Sequence, residues 1–190
     1  MRKGRIMRKT FYVGILVLLL FYLPSIASAA KFSIGVFGGM NIPIIQEDVS
    51  NGTVFGVKGR AMVMPFLGLE PNFVMSKYGD KDHDVLGQTM TRKGGDITSF
   101  GLDAVLGTFG GFSKVRFYGL VGLNSNSLKR DGIPDQTRLG LSFGTGVEFM
   151  AMDVLSVEVR ARVHNVSLEG GGGRNNVELT GGLNYYFGPK

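Results

Sequence analysis

A histidine and a serine stand near the C-terminal end in His164-Asn165-Val166-Ser167, with Glu169 and Glu178 downstream. An imidazole base, a hydroxyl nucleophile and a carboxylate that orients the base are the parts of a hydrolytic triad. The surrounding pattern works against that chemistry. Val157, Val159, Ala161 and Val163 alternate with Glu158, Arg160, Arg162 and His164. A period of two marks a β-strand with one apolar and one polar face. Positions 164 and 167 of such a strand point to opposite sides, so the imidazole does not reach the hydroxyl, and geometry is judged before pKa in assigning a base. We assign no catalytic residue. Asp80-Lys81-Asp82-His83-Asp84 offers ligand atoms, but it lacks calcium-loop spacing and reads as a solvated loop tip. The glycines at 170–173 lack the strand-to-helix setting of a phosphate loop. Neither a metal nor a cofactor is implied.

What remains is a charge at nearly every polar position of a strand, and other segments repeat the rhythm. Eight strand-like stretches show it, at 31–40, 54–64, 67–78, 98–107, 114–124, 138–149, 156–167 and 176–187. Pro71 interrupts the third, where a bulge is expected because proline donates no ladder hydrogen bond. Short connections near 65, near 110 and at 150–153 alternate with long polar ones at 45–53, 79–95 and 125–137 and a last one containing the glycine run. Short turns on one side, long loops on the other and an even strand count are the layout of a transmembrane β-barrel. The strand lengths suit a tilted bilayer crossing. The fold class expected is all-β, an eight-stranded antiparallel up-and-down transmembrane barrel.

A soluble eight-stranded barrel has the same rhythm with its apolar face inward, so the faces must be told apart. Gly35, Gly39, Gly101, Gly122, Gly140, Gly144, Gly146 and Gly182 fall on the polar face. A solvated exterior has no reason to be trimmed in this way, whereas the inside of a narrow barrel has little room. On the apolar face, Phe32, Phe117, Phe149, Tyr185 and Phe187 gather toward the short turns, and Phe55 and Phe100 toward the long loops, as aromatic girdles do at bilayer interfaces. The charged face therefore points inward. Its cations are Lys58, Arg60, Arg116, Arg138, Arg160 and Arg162, and its anions Glu70, Asp103, Glu148, Glu158 and Glu178. Charges in a narrow lumen must be paired, so Lys58, Arg60, Glu70, Asp103, Arg116, Glu148, Glu158, Arg160 and Glu178 are expected to form an internal ion-pair network. Counting across the turns sets Arg60 opposite Glu70, and Asp103 opposite Tyr118 and diagonal to Arg116.

The N-terminus supplies a compartment. Arg2, Lys3, Arg5, Arg8 and Lys9 precede the apolar run 11–23, Pro24 and then Ala27-Ser28-Ala29, the tripartite layout of a secretory signal peptide. The expectation is a leader over 1–29, cleaved after Ala29 or Ala30, followed by one barrel domain over 30–190. Five of the six net positive charges belong to that leader, so the basic balance is no nucleic-acid footprint. With no Cys in the chain, there is no disulfide framework.

Taken together, the chain resembles the small outer-membrane barrels of Gram-negative bacteria, the family that includes the membrane domain of outer membrane protein A and outer membrane protein X. The most specific likeness is Thr180-x-Gly182-x-x-Tyr185-x-Phe187, which is similar to the family's C-terminal assembly signal, although this chain continues through Gly188-Pro189-Lys190. The resemblance implies a place in the bacterial outer membrane, outer-membrane lipid around the barrel and the barrel-assembly machinery as a partner during insertion. It also implies a structural, surface-exposed role, with long loops that bind an extracellular ligand. Two alternatives are a narrow pore and a lipid A deacylase-like hydrolase. The deacylases carry a His-x-Ser-Asn motif, from which His164-Asn165-Val166-Ser167 departs by one residue.

Overall fold

The computed structural model describes residues 31–44, 50–85, 88–92, 94–109, 113–130, 133–167 and 173–187; the expected leader lies outside them. Ten strands follow in chain order: β1 (Phe32–Ile44), β2 (Ser50–Met64), β3 (Leu67–Gly79), β4 (Lys81–Val85), β5 (Gln88–Arg92), β6 (Asp96–Gly107), β7 (Val115–Arg130), β8 (Ile133–Met150), β9 (Leu155–Ser167) and β10 (Gly173–Phe187). Eight close into a barrel in the order β1-β10-β9-β8-β7-β6-β3-β2, each antiparallel to its neighbours, while β4 and β5 form a separate hairpin. The seam between first and last strands runs from Phe32↔Phe187 to Ile44↔Asn175. Closure leaves the barrel wall no free edge, as strands in hydrocarbon require.

The burial pattern is inside out. Glu70, Glu148 and Asp103 are sealed, whereas Leu139 is 75% exposed and Leu123 66%. On neighbouring strands the outward face changes from apolar to polar over a single step: Phe55 gives way to Thr53, Met75 to Lys77, Leu123 to Ser125 and Leu139 to Thr137. Below that line the apolar wall spans nine residues of β7, Val115 to Leu123, and eleven of β8, Leu139 to Phe149. A tilted strand needs about 9–11 residues to cross a bilayer.

Two connections differ from expectation. The segment 79–95 contains the β4–β5 hairpin, and 125–137 is mostly strand, because β7 continues to Arg130 and β8 begins at Ile133. Above the lipid line both faces of these strands are polar, with Ser125, Thr137 and Lys129 outside and Asn126 inside, so the two-residue apolar period that betrays a strand is lost. Pro71 differs too. Register runs through it unbroken, Glu70↔Asp103, Pro71↔Leu102 and Asn72↔Gly101. The irregularities of the β2–β3 pair lie instead between Ser50 and Thr53 and between Met62 and Met64. The proline ring faces outward, where it adds to the apolar wall.

A cation placed in that wall measures its solvent. Val121→Arg is expected to destabilise the barrel by about 2–4 kcal/mol and Ser125→Arg, above the line, by about 0–1 kcal/mol, read from urea unfolding in phospholipid vesicles.

Candidate functional site

Alternation delivers the charged residues of seven strands to one lumen, and narrowness forces them together. Glu70 of β3 is held between two guanidinium groups. Arg60 reaches its Oε2 through Nε at 2.7 Å and Nη2 at 2.6 Å, and Arg160 Nη1 lies 2.7 Å from Oε1. Both arginines also bind Glu158, at 3.1 Å each, and Lys58 Nζ lies 2.5 Å from Glu158 Oε1. Arg60 Nη1 extends the cluster to Glu148 at 3.0 Å. Glu148 accepts further hydrogen bonds from Tyr186 Oη at 2.6 Å and from Ser156.

A second cluster lies beside it. Arg162 binds Glu178 through Nη2 at 2.6 Å and Nε at 2.8 Å, and its Nη1 is 3.5 Å from Asp103. Asn72 and Ser142 donate to Asp103 at 3.0 and 3.1 Å. His164 contacts Asn124 Oδ1 at 2.7 Å, with its other ring nitrogen 3.6 Å from Glu178. Rings complete the packing. The guanidinium of Arg60 lies 5.1 Å from the Tyr118 centroid and 5.3 Å from that of Phe109, and Arg160 lies 5.5 Å from Tyr118. Desolvated cation–π contacts of this kind add to the pairing. Apolar residues flank the ions: Val105, Phe109, Tyr118 and Leu120 toward the short turns, and Phe37, Val54 and Val74 on the other side.

Space explains the glycines. A methyl group on Gly146 would strike the Tyr118 ring, on Gly122 the Asp103 carboxylate and on Gly35 the Asn184 amide. At other lumen glycines the obstacle is the neighbouring strand's backbone, as at Gly39 and Gly144, or the Phe37 side chain, as at Gly56 and Gly182.

The β2–β3 register pairs Lys58 with Asn72 and Ala61 with Leu69, so Arg60 lies across from Glu70. The other cross-turn expectation is wrong. Asp103 faces Gly122, and Tyr118 faces Gly107. The connection after Gly107 tucks Phe109 into the lumen, with Thr108 N bonded to Phe117 O at 3.1 Å. The hairpin therefore folds two residues later than a symmetric turn at 110 would. Arg116 pairs in register with Glu148 and lies 5.3 Å from the Tyr186 centroid, apart from Asp103. Arg138 stands higher, opposite Asn126, and donates to Gln136 at 3.3 Å. The hydrogen bonds of Tyr118, Tyr186, Ser156 and Asn184 were not foreseen, although their parity marks them as inward. Phe109 left no signal, since a turn has no period.

At the C-terminal seam Thr180 is buried, Gly182 faces inward and Tyr185 and Phe187 face outward, with Phe187 stacked on Phe32 at 6.0 Å. His164 points into the lumen, and the Ser167 side chain and Glu169 lie outside the described residues. Asp80 accepts from Gly94 N at 2.8 Å and Asp82 from Thr91 at 2.6 Å. The His83 and Asp84 side chains lie outside the described residues, among which no metal-holding cluster occurs.

A closed antiparallel cylinder with ions inside and hydrocarbon outside is a membrane-spanning β-barrel. Residues 13–187 match the model of the outer membrane protein beta-barrel domain, and the chain belongs to that family of the bacterial outer membrane. Solved structures share the fold. Neisserial surface protein A is 17% identical with a TM-score of 0.59, over 83% of this chain and 97% of that one. The N-terminal barrel of Pseudomonas aeruginosa OprF is 18% identical with a TM-score of 0.53, over 83% and 97%. The Yersinia pestis attachment invasion locus protein Ail, solved with the heparin analogue sucrose octasulfate, is 15% identical with a TM-score of 0.50, over 84% and 99%. No curated protein matches at the sequence level.

Removing one partner of a buried pair strands the other, at about 3–5 kcal/mol. Glu70→Gln and Arg60→Met are each expected to destabilise by that amount. In a double-mutant cycle followed by urea unfolding, their coupling is expected at about 1–3 kcal/mol.

Proposed function

We infer that this chain is a non-conducting surface stand: an outer-membrane barrel, closed inside, that holds its long-connection end rigid for a binding partner. The carrying observation is the ionic cluster of Arg60, Glu70, Glu148, Glu158 and Arg160, which bridges β2, β3, β8 and β9 across the lumen. Phe109 and Tyr118, stacked at 6.2 Å, pack below it. Side chains that fill an eight-stranded barrel leave no wide channel. By contrast, β7 and β8 continue past the lipid line. At the base of the β4–β5 hairpin, Tyr78 N donates to Gly95 O at 3.0 Å and Gly94 N to Asp80 at 2.8 Å. A rigid scaffold carrying exposed connections is a common arrangement for binding. The heparin analogue bound by Ail, together with exposed Lys77 and Lys129 flanking Asp96 in register, supports an acidic glycan as the first ligand class to test.

The same reading makes Thr180, Gly182, Tyr185 and Phe187 the signal taken up by the barrel-assembly machinery, and makes residues 1–29 the export leader. It assigns no enzymatic role. Lipid A hydrolysis by purified protein, abolished by Ser167→Ala, would overturn that part.

Planar-bilayer recording of the reconstituted barrel is expected to show no steady large conductance; a stable open level would replace the stand with a pore. Phe187→Ser is expected to reduce the amount of folded, heat-modifiable barrel in outer-membrane fractions while leaving export unchanged. Equal folded levels would remove the assembly role.

A further inference from the structure

The lumen glycines are explained by what they would strike. The outward glycines Gly38, Gly59, Gly119 and Gly181 are not, and Gly59 of β2 is the one that lies in the larger outer groove. A methyl group there would meet nothing nearer than Ser33 O at 3.8 Å and Pro71 Cγ at 4.0 Å, which is ordinary contact distance. No packing inside the barrel requires a glycine at this point, and glycine weakens a strand and leaves lipid-facing surface unfilled. Its absent side chain instead forms the floor of a groove in the outer wall, with a volume of about 620 Å³. That volume lies within the range of small-ligand sites.

The walls of the groove state what fits it. Val36, Val57, Phe73, Phe100 and Leu183 line it, with Tyr185 and Leu155 at the end nearest the short turns. All lie below the line at which the outward face turns polar, and Val57, Phe73, Phe100, Leu183 and Tyr185 are among the exposed large apolar residues. At this depth there is no water to fill a hollow. The groove's lower end, at Tyr185 and Leu155, lies nearest the short turns, where a tyrosine at the interface is placed to meet a headgroup. It is also continuous with the surface already assigned to lipid.

We propose that the Gly59 groove is a binding seat for one acyl chain of a glycerophospholipid from the periplasmic leaflet, held longer than the surrounding lipid. Gly59 supplies the depth, Val57 and Phe73 the sides and Tyr185 the headgroup end. The seat lies on β1, β2 and β3, where the β2–β3 register is irregular just below it. An occupant covers that seam from the lipid side while Arg60 and Glu70 close it from the lumen.

The test uses the full barrel in vesicles containing a phospholipid with a diazirine in its acyl chain. After photolysis, peptides are mapped by mass spectrometry. Peptides bearing Val57 and Phe73 are expected to be labelled about tenfold more than those bearing Leu123 and Leu139, the equivalent of about 1.4 kcal/mol of preference. Gly59→Leu is expected to abolish the difference, whereas Gly181→Leu, an outward glycine with equally free space, keeps it. Val36→Phe, which fills the groove from β1, provides a second variant. Uniform labelling of the wild-type wall overturns the proposal whether or not any variant folds. So does equal labelling in folded Gly59→Leu and wild type. Stronger labelling by a diazirine-bearing lipid A assigns the seat to the other leaflet and overturns the phospholipid, and a cross-linked dimer lost in Gly59→Leu assigns it to a second copy of the chain.

Discussion

A carboxylate deprived of water must be answered by donors and cations fixed around it, because the cost of stripping its hydration is several kcal/mol even after relaxation. Glu70 meets that demand with two arginines and a lysine supplied by β2 and β9. Much of the interior follows. The arginines that answer Glu70 are themselves answered by Glu158 and Glu148, and those by Asn184, Ser156 and Tyr186. The partners are spread over β2, β3, β8, β9 and β10, so satisfying one charge constrains the register of its neighbours. A slip of one residue would turn the charged row toward the lipid. Buried ion pairs contribute little net stability against an apolar alternative. Their role here is to make every other register untenable.

The outer wall is governed by a weaker rule, since hydrocarbon demands only that no charge face it. That asymmetry shows in composition. Inward positions are chosen one by one for partner and volume, down to glycines that yield to Tyr118 and Asp103. Outward positions are mostly interchangeable aliphatic and aromatic residues. At Gly59 and Pro71, two of the departures from that rule, the departure forms a shape and not a contact.

How much of this could be read from the sequence follows the same division. Val157 to His164 alternates so regularly that strand, face and lumen charge were all legible, and the glycines told which face was enclosed. The lip above the bilayer was not legible, because Ser125 and Asn126 are polar on both faces and no period survives where water meets each side. Pairing across a turn was legible only where the turn is tight: Arg60 and Glu70 flank a two-residue turn at Pro65 and Phe66. Asp103 and Tyr118 flank a longer connection whose Phe109 folds inward, and counting cannot anticipate that. The contact of Arg60 with the Phe109 ring was lost with it.

The continuation of β7 and β8 past the lipid line fixes a stand-off. Six residues from Ser125 to Arg130, at about 3.3 Å each and inclined by some 35–45°, raise the hairpin tip about 15 Å above the headgroups. Ladder bonds set that height, so it does not vary as a tether's would. Anything bound there would sit at a set altitude over the membrane, and evolution can trim that altitude in two-residue steps without turning any side chain to the wrong side.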